Sequence, residues 1–212
     1  MSVQKAISGK INAMKGGTVV QPASFAHLGS RSSVDQALSR LAKSGQLERI
    51  QQGIYVKPGR GRHVARALPR AEQIARSIAA SNGKPVQVHG AEAARRLGLS
   101  TQQPAETVLL TTGLSKPRRI RVGSSVAELR PASERRLILA GRPAGTALSA
   151  LWYLGREEVT PEVLNTIRRK LPPEEFRALF ARRTELPQWM REALEGHQKA
   201  WMHERSLPET AA

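Results

Sequence analysis

The first seventy residues carry apolar positions at helical spacing that give way to short strand-like runs. A first helix is predicted from five inward positions, which are Val3, Ala6, Ile7, Ile11 and Met14. Gly16 and Gly17 would end this helix, and a β-branched run at residues 18–20 leads to a brief helical segment over residues 22–28. Gly29 separates that segment from a further helix. Two helices joined by a tight glycine turn are typical of a helix-turn-helix.

This further helix is predicted over residues 31–43, with alternative N-caps at Ser30, Ser32 and Ser33. Its inward face would hold Val34, Ala37, Leu38 and Leu41. Two strand-like runs follow, at residues 47–50 and 54–57, and Gly53 suits a positive φ in the turn between them. A hairpin directly after the helix predicts a winged helix-turn-helix over residues 2–58. Residues 58–62 would form a basic strap suited to phosphates, so we expect a first domain over residues 1–62.

The rest of the chain, residues 63–212, is expected to form a second, mixed α+β domain with a helical C-terminal end. Helices are predicted over residues 71–80 and 91–97. Strands are predicted over residues 86–88, 107–111, 119–122, 126–129 and 137–139. From residue 147 onward the pattern is helical, and prolines mark three helix starts at residues 161, 172–173 and 187. The predicted fold class of the whole chain is therefore α+β.

The distribution of charge points to a class of partner. The net charge is +17, and residues 1–70 hold 12 Lys or Arg against two Asp or Glu, whereas residues 151–212 hold ten of each. Such an excess favours a polyanion, either nucleic acid or an anionic membrane surface. Solubility alone would explain a positive charge, but it does not require segregation by region. No apolar run is long enough to span a bilayer, and the absence of cysteine fits a cytoplasmic location.

The polar face of the third helix supplies the candidate DNA-binding residues. Since the N-terminal end of a recognition helix lies deepest in the major groove, the expected base-reading residues are Arg31, Ser32, Ser33 and Gln36. Arg40 and Lys43 are the expected phosphate contacts of the helix. The hairpin and strap would add Gln51, Gln52, Lys57, Arg60 and Arg62. For any one of these residues a solvated helix or strand surface is the alternative interpretation.

Two further features each have two interpretations. Tyr55 could stack on a sugar or base, but at an inward position of the hairpin we expect it to pack in the core. The basic run at residues 116–121 is either a solvated hairpin edge that its charges protect from strand addition or a second DNA contact. Under the second interpretation the contacts would be Lys116, Arg118, Arg119 and Arg121.

The chemistry of common enzymes is missing from the sequence. Asp35 is the single aspartate, whereas metal-dependent nucleases and phosphotransferases need clustered carboxylates. The five histidines lack metal-ligand spacing, and no Walker loop, nucleophile elbow or dinucleotide fingerprint is present. Residues 141–146 superficially match a phosphate loop but lack its lysine, so we interpret them as the start of a helix. We expect no enzymatic activity, no metal and no cofactor.

Several motifs resemble those of a known bacterial family. In the N-terminal half they are Leu28-Gly29-Ser30-Arg31, Leu38-Ser39-Arg40-Leu41 with Gly45, Leu47-Glu48-Arg49-Ile50 and Gly53-Ile54-Tyr55. In the middle they are Gly90-Ala91-Glu92-Ala93-Ala94 and Leu97-Gly98-Leu99-Ser100, followed by Gln102, Gln103 and Pro104. Together they resemble the AbiEi family, the antitoxins of abortive-infection toxin-antitoxin systems.

This resemblance implies a function for each half of the chain. The winged helix would repress its own operon by binding inverted repeats in the promoter, an arrangement compatible with a dimer on DNA. The C-terminal domain would be the antitoxin of a nucleotidyltransferase-like toxin encoded beside it. The alternative is a stand-alone winged-helix transcription factor whose C-terminal domain binds a ligand or dimerises. An enzyme acting on nucleic acid is a third hypothesis, which the missing carboxylates disfavour.

Overall fold

A computed structural model describes residues 2–59 and 67–206, and the fold is mixed α+β with two small sheets. The chain divides into two compact units. The first unit comprises Met1–Ser81 and Arg119–Ala127, and the second comprises Asn82–Arg118 and Glu128–Ala212. The predicted domain boundary at residue 62 falls among the residues outside the described ranges. In the described chain, the first unit continues through a further helix to Ser81.

The first unit alternates helices with a small antiparallel sheet. Its elements are α1 (Val3–Ala13), β1 (Val19–Val20), a 3-10 helix (Pro22–Leu28), α2 (Arg31–Lys43), β2 (Glu48–Gln51), β3 (Ile54–Val56) and α3 (Ala71–Ser81). The strand order is β1-β3-β2, and the pairing places Val20 opposite Tyr55 and Arg49 opposite Tyr55 on the other side. The three helical segments, the hairpin and the helix at residues 71–80 agree with the sequence predictions.

Local signals explain where α2 begins and ends. Ser30 is extended, and its hydroxyl accepts a hydrogen bond from the Ser33 backbone N–H, which would otherwise have no partner within the helix. After Ser44 the chain turns at Gly45, whose φ of 78° is one that glycine adopts without strain. The buried residues of α2 are the four predicted ones, Val34, Ala37, Leu38 and Leu41.

The core of the first unit joins both helices to the sheet. Ile7 and Ile11 of α1, Leu38 of α2 and Phe25 of the 3-10 helix are each at most 1% exposed and belong to one cluster. Tyr55 lies in the same cluster and is 4% exposed, so the prediction that it packs in the core is confirmed. This packing holds α2 by its apolar face and leaves its polar face outward.

The second sheet has the order β4-β5-β7-β6. Its strands are β4 (Val86–Val88), β5 (Thr107–Thr111), β6 (Arg118–Val122) and β7 (Ser125–Pro131). β4 and β5 are antiparallel, whereas the two-residue connection at residues 123–124 makes β6 and β7 a hairpin. The tip of that hairpin, Arg119–Ala127, belongs to the first compact unit.

Helices make up the rest of the second unit. They are α4 (Gly90–Arg96), α5 (Pro143–Glu158), α6 (Pro161–Lys170), α7 (Pro173–Ala181) and α8 (Gln188–Ser206). The predicted helix start at Thr160 is confirmed, because its hydroxyl accepts from the Val163 N–H. Among the described residues, no helix combines the length and apolar character that crossing a bilayer requires.

The strand predicted at residues 137–139 is wrong. The chain there leaves a 3-10 helix, Glu134–Leu137, and turns at Leu139, whose φ is 61°. The Ala140 N–H donates to the Leu137 carbonyl and the Arg142 N–H donates to the Leu139 carbonyl, so successive turns satisfy the backbone. Three apolar residues are too few to distinguish a strand from a turn that buries one of them, in this case Leu137. Residues 141–146 do lead into a helix, since α5 begins at Pro143.

Candidate nucleic-acid interface

The outward side of α2 carries a row of four polar residues. Ser32, Gln36, Ser39 and Lys43 follow at i, i+4, i+7 and i+11, a spacing that keeps them on one line of a helix with about 3.6 residues per turn. This line lies opposite the buried face. Ser32, Gln36 and Lys43 are exposed and Ser39 is half-buried. The row offers hydroxyl, amide and ammonium groups, which suit base edges and phosphates.

Arg31 lies to one side of this row and is held by Asp35. Its Nε donates to the Asp35 carboxylate over 2.9 Å, and the Arg31 side chain remains 72% exposed. An exposed pair of this spacing is worth only about 0.3–0.5 kcal/mol, so Arg31 can exchange it for a stronger contact. Because the bond uses Nε, it leaves the two terminal amino groups of the guanidinium outside this contact.

Ser33 and Arg40 take part in contacts that shape the helix ends. The Ser33 hydroxyl is 2.8 Å from the Ser30 hydroxyl, and Ser33 is half-buried, so it belongs to the cap rather than to the outward row. The Arg40 guanidinium donates to the Gln4 side-chain oxygen of α1 over 3.0 Å. The sequence grouped Ser33 with Ser32, but the structure places the two hydroxyls in different surroundings.

The β2–β3 hairpin turns at Gly53, whose φ is 71°, as the sequence predicted. Gln52 is exposed at the turn and Gln51 is half-buried. The Lys57 ammonium donates to the carbonyls of Asn12 and Met14, at 2.7 and 2.6 Å. Lys57 therefore satisfies carbonyls at the C-terminal end of α1, a favourable position for a cation.

Arg49 is a candidate that the sequence analysis missed. It lies in β2, is exposed, and its side chain has no hydrogen bond or ion pair among the described residues. The sequence did contain a signal for this candidate, which is a positive charge within the hairpin that follows α2. Arg60 and Arg62, the predicted strap contacts, lie outside the described residues.

The basic run at residues 116–121 is divided between the two units. Arg119 and Arg121 are exposed on either side of the buried Ile120 and belong to the unit that contains α2. Lys116 is exposed and Arg118 is half-buried, and both belong to the second unit. Only the second half of the run therefore shares a compact unit with α2.

The excess of charge is concentrated in the unit that contains α2. By sequence, the first unit holds 15 Lys or Arg and three Asp or Glu, a net of +12, whereas the second holds 19 and 14, a net of +5. Two of the three acidic residues, Asp35 and Glu72, pair with arginines one helical turn away. An anion approaching this unit meets a strongly positive surface.

A family model described as "Family of unknown function (DUF6088)" matches residues 6–179 of the chain. The chain belongs to the DUF6088 family. The DUF6088 match covers α2, the β2–β3 hairpin and the β6–β7 hairpin, whereas α8 lies beyond it.

Comparison with solved structures finds a distant neighbour of this DUF6088 protein. The crystal structure of RV2827C protein from Mycobacterium tuberculosis aligns over 91% of this chain and 80% of that chain, with 16% sequence identity and a TM-score of 0.38. No curated protein matches the chain.

The second unit of the DUF6088 chain holds a small polar cavity of about 180 Å³. It is lined in part by His89, Arg136, Trp152 and Tyr153. Burial lowers the pKa of His89 below its ordinary value, and the charges of Arg130 and Arg136 lower it further. His89 also accepts a hydrogen bond from the Ala91 N–H, as the N-cap of α4. Within residues 2–59 and 67–206, no three His, Asp or Glu side chains are grouped so as to hold a metal ion.

Proposed function

We propose that residues 2–58 form a winged helix-turn-helix that binds double-stranded DNA, with α2 in the major groove. The observation that carries this proposal is the row Ser32, Gln36, Ser39 and Lys43, which faces outward from a helix whose opposite side is fixed in a core. The row lies on a unit with a net charge of +12. An α-helix fits the major groove, and a cationic surround supplies the phosphate attraction that precedes base reading.

The side chains of α2 would divide the work of recognition. Gln36 and Ser32 lie at the centre of the row and would read base edges, together with Arg31 from its flank and Ser33 from the cap. Lys43 and Arg40 would contact phosphates on one side. Gln51, Gln52 and Arg49 would approach the backbone from the β2–β3 hairpin, which takes the role of the wing. Lys57 would act mainly by holding α1 in place.

The biological role that we propose is transcriptional autorepression by the antitoxin of a toxin-antitoxin system. Its support is the sequence resemblance to AbiEi antitoxins, together with a separate, nearly neutral helical region from residue 151 that suits a protein partner better than DNA. The neighbouring reading frame distinguishes the antitoxin from a stand-alone transcription factor. A nucleotidyltransferase-like toxin is expected there if the protein is an antitoxin. Binding without catalysis is proposed because Asp35 is the single aspartate.

A footprint on the DNA upstream of the protein's own gene tests the DNA-binding proposal. We expect protection of an inverted repeat, with binding that weakens steeply as salt is raised. Equal affinity for the promoter and for a random duplex of the same length would contradict sequence-specific binding. Cleavage of DNA or transfer of nucleotides by the purified protein would support the enzyme hypothesis instead.

The β6–β7 hairpin provides a prediction about phosphate contacts. Replacing both Arg119 and Arg121 with alanine is expected to weaken binding to promoter and random DNA by the same factor. The slope of log affinity against log salt should fall by about two, because each phosphate contact contributes about 0.9 to that slope. The matched control replaces Arg156 and Lys170, two exposed cations of the second unit, and should leave the slope unchanged. Unaltered salt dependence in the Arg119 and Arg121 variant would favour the solvated hairpin edge.

A further inference from the structure

A groove in the second unit is formed largely by one face of α7. Pro173, Phe176, Arg177, Phe180 and Ala181 follow at i, i+3, i+4, i+7 and i+8, and all of them line it. The opposite side of α7 is already used, since Leu179 is fully buried in the core. Trp201 of α8 forms another wall, and the groove encloses about 800 Å³. Along this face Phe176 is buried and Phe180 half-buried, whereas Pro173, Arg177 and Ala181 are exposed to the groove.

Among the residues that the structure describes, the charged side chains that line this groove are three arginines, Arg168, Arg177 and Arg183, and no carboxylate lines it. The Arg168 guanidinium lies 3.4 Å from the centre of the Trp201 ring, and that of Arg183 lies 4.3 Å from the centre of the Phe180 ring. Stacking of this kind fixes a guanidinium by its face, and Arg168 also lies over the Phe176 ring, 5.2 Å from its centre.

Two of the arginines differ in how far they are already engaged. Arg183 donates to the Glu195 carboxylate over 3.1 Å and to the Phe180 carbonyl, so part of its capacity is used. Arg177 is exposed, and its side chain has no hydrogen bond or ion pair among the described residues. Arg177 is therefore the cation most available to an incoming carboxylate.

We propose that this groove binds an acidic amphipathic helix of a second protein. Apolar side chains of that helix would lie on Phe180 and Trp201, and its carboxylates would meet Arg177. The nine residues of α7 extend about 14 Å, so the partner would contact it over two to three turns. Residues 151–212 hold ten basic and ten acidic residues, so the region lacks the extended positive field that a nucleic acid would need. This proposal does not depend on DNA binding by the first unit.

Fluorescence anisotropy with the full chain tests the proposal. The probe is a fluorescein-labelled helical peptide with leucines at i, i+3, i+4 and i+7 and glutamates on its other face, and its matched control carries lysines in place of the glutamates. We expect saturable binding of the acidic peptide and binding of the lysine peptide at least about tenfold weaker. Equal binding of the two peptides, or no binding of the acidic one, would overturn the proposal.

Three variants locate the site of binding. Arg177→Glu reverses the available charge, and Ala181→Trp fills the groove at an exposed position; each is expected to weaken the acidic peptide about tenfold or more. Lys170→Glu makes the same charge change two residues from Arg168 but outside the groove lining, and should change affinity less than twofold. Unchanged binding by Arg177→Glu and Ala181→Trp would place the peptide elsewhere.

Two other occupants are distinguished by the same variants. A self-associated wild type that Ala181→Trp converts to a monomer would show that a second copy fills the groove, and would overturn the proposal. Single-stranded DNA that displaced the acidic peptide from the wild type, but lost this effect with Arg177→Glu, would identify nucleic acid as the occupant. That result would also overturn the proposal. Promoter binding should be unchanged in all three variants, so a failure of this inference is separable from a failure of the DNA-binding proposal.

Discussion

Gln36→Glu is expected to lower the affinity for promoter DNA by about a hundredfold. Gln36 lies at the centre of the outward row of α2, so a carboxylate there would face base edges and phosphates at close range, and like charges brought together at an interface cost several kcal/mol. The position is exposed, so the fold should be unaffected, with a change in unfolding free energy within about 0.5 kcal/mol. Titration of a labelled promoter duplex measures the affinity, and urea unfolding of the same variant measures the unfolding free energy.

The alanine variants separate base reading from charge. Gln36→Ala and Arg31→Ala should each cost about 1–3 kcal/mol on the promoter and much less on random DNA, which relaxes base preference. The matched control for Gln36→Glu is Gln103→Glu, the same change at an exposed position of the second unit, and it should leave binding within about twofold of wild type. Equal losses on promoter and random DNA for Gln36→Ala and Arg31→Ala would show that neither residue reads bases.

The sequence predicted α2 well because its determinants are local. A serine cap, four apolar residues at helical spacing and a glycine that turns the chain at Gly45 all lie within sixteen residues. The outward row follows from the same periodicity, since the residues that are not buried must face the other way. The hairpin was equally predictable from the sequence, because Gly53 supplies the positive φ of its turn.

Contacts between distant residues could not be predicted in the same way. Nothing in the sequence indicates that Lys57 donates to carbonyls of α1 more than forty residues away, or that Arg40 meets Gln4. The separation of Arg119 and Arg121 from Lys116 and Arg118 depends on which compact unit each strand segment joins. A single basic run gave no signal of that division.

Short apolar runs set another limit on prediction. Residues 119–122 and 137–139 both looked like strands, yet only the first run pairs within the sheet. The two runs differ in the residues on their C-terminal side, because β6 continues into a two-residue hairpin connection, whereas residue 139 enters a turn before Gly141 and the proline that begins α5. Three residues contain too little periodicity to distinguish the two cases, so the flanking glycine and proline were the better evidence.

Gly90→Ala is expected to destabilise the second unit by about 3 kcal/mol. A Cβ at residue 90 would lie 2.2 Å from the Cβ of Tyr153 and 2.6 Å from the Ser149 carbonyl oxygen, and both of these neighbours belong to α5. Such distances cannot be relieved by rotating a flexible side chain, so α4 and α5 must move apart. Because Ser149 is buried and donates to the Val88 carbonyl of β4, the displacement would also strain the attachment of α5 to the sheet. The midpoint of urea unfolding measures the loss.

Gly196→Ala is the matched control for this substitution, because it adds the same methyl group where there is room for it. Gly196 lies inside α8, and a Cβ there would meet no heavy atom within 4 Å. Alanine at a helical position of this kind should raise the unfolding free energy by about 0.5–1 kcal/mol, since glycine loses more backbone freedom on folding. The two variants should therefore move the urea midpoint in opposite directions. If Gly90→Ala instead unfolded at the same urea concentration as wild type, the close approach of α4 to α5, on which the position of His89 and its cavity depends, would be contradicted.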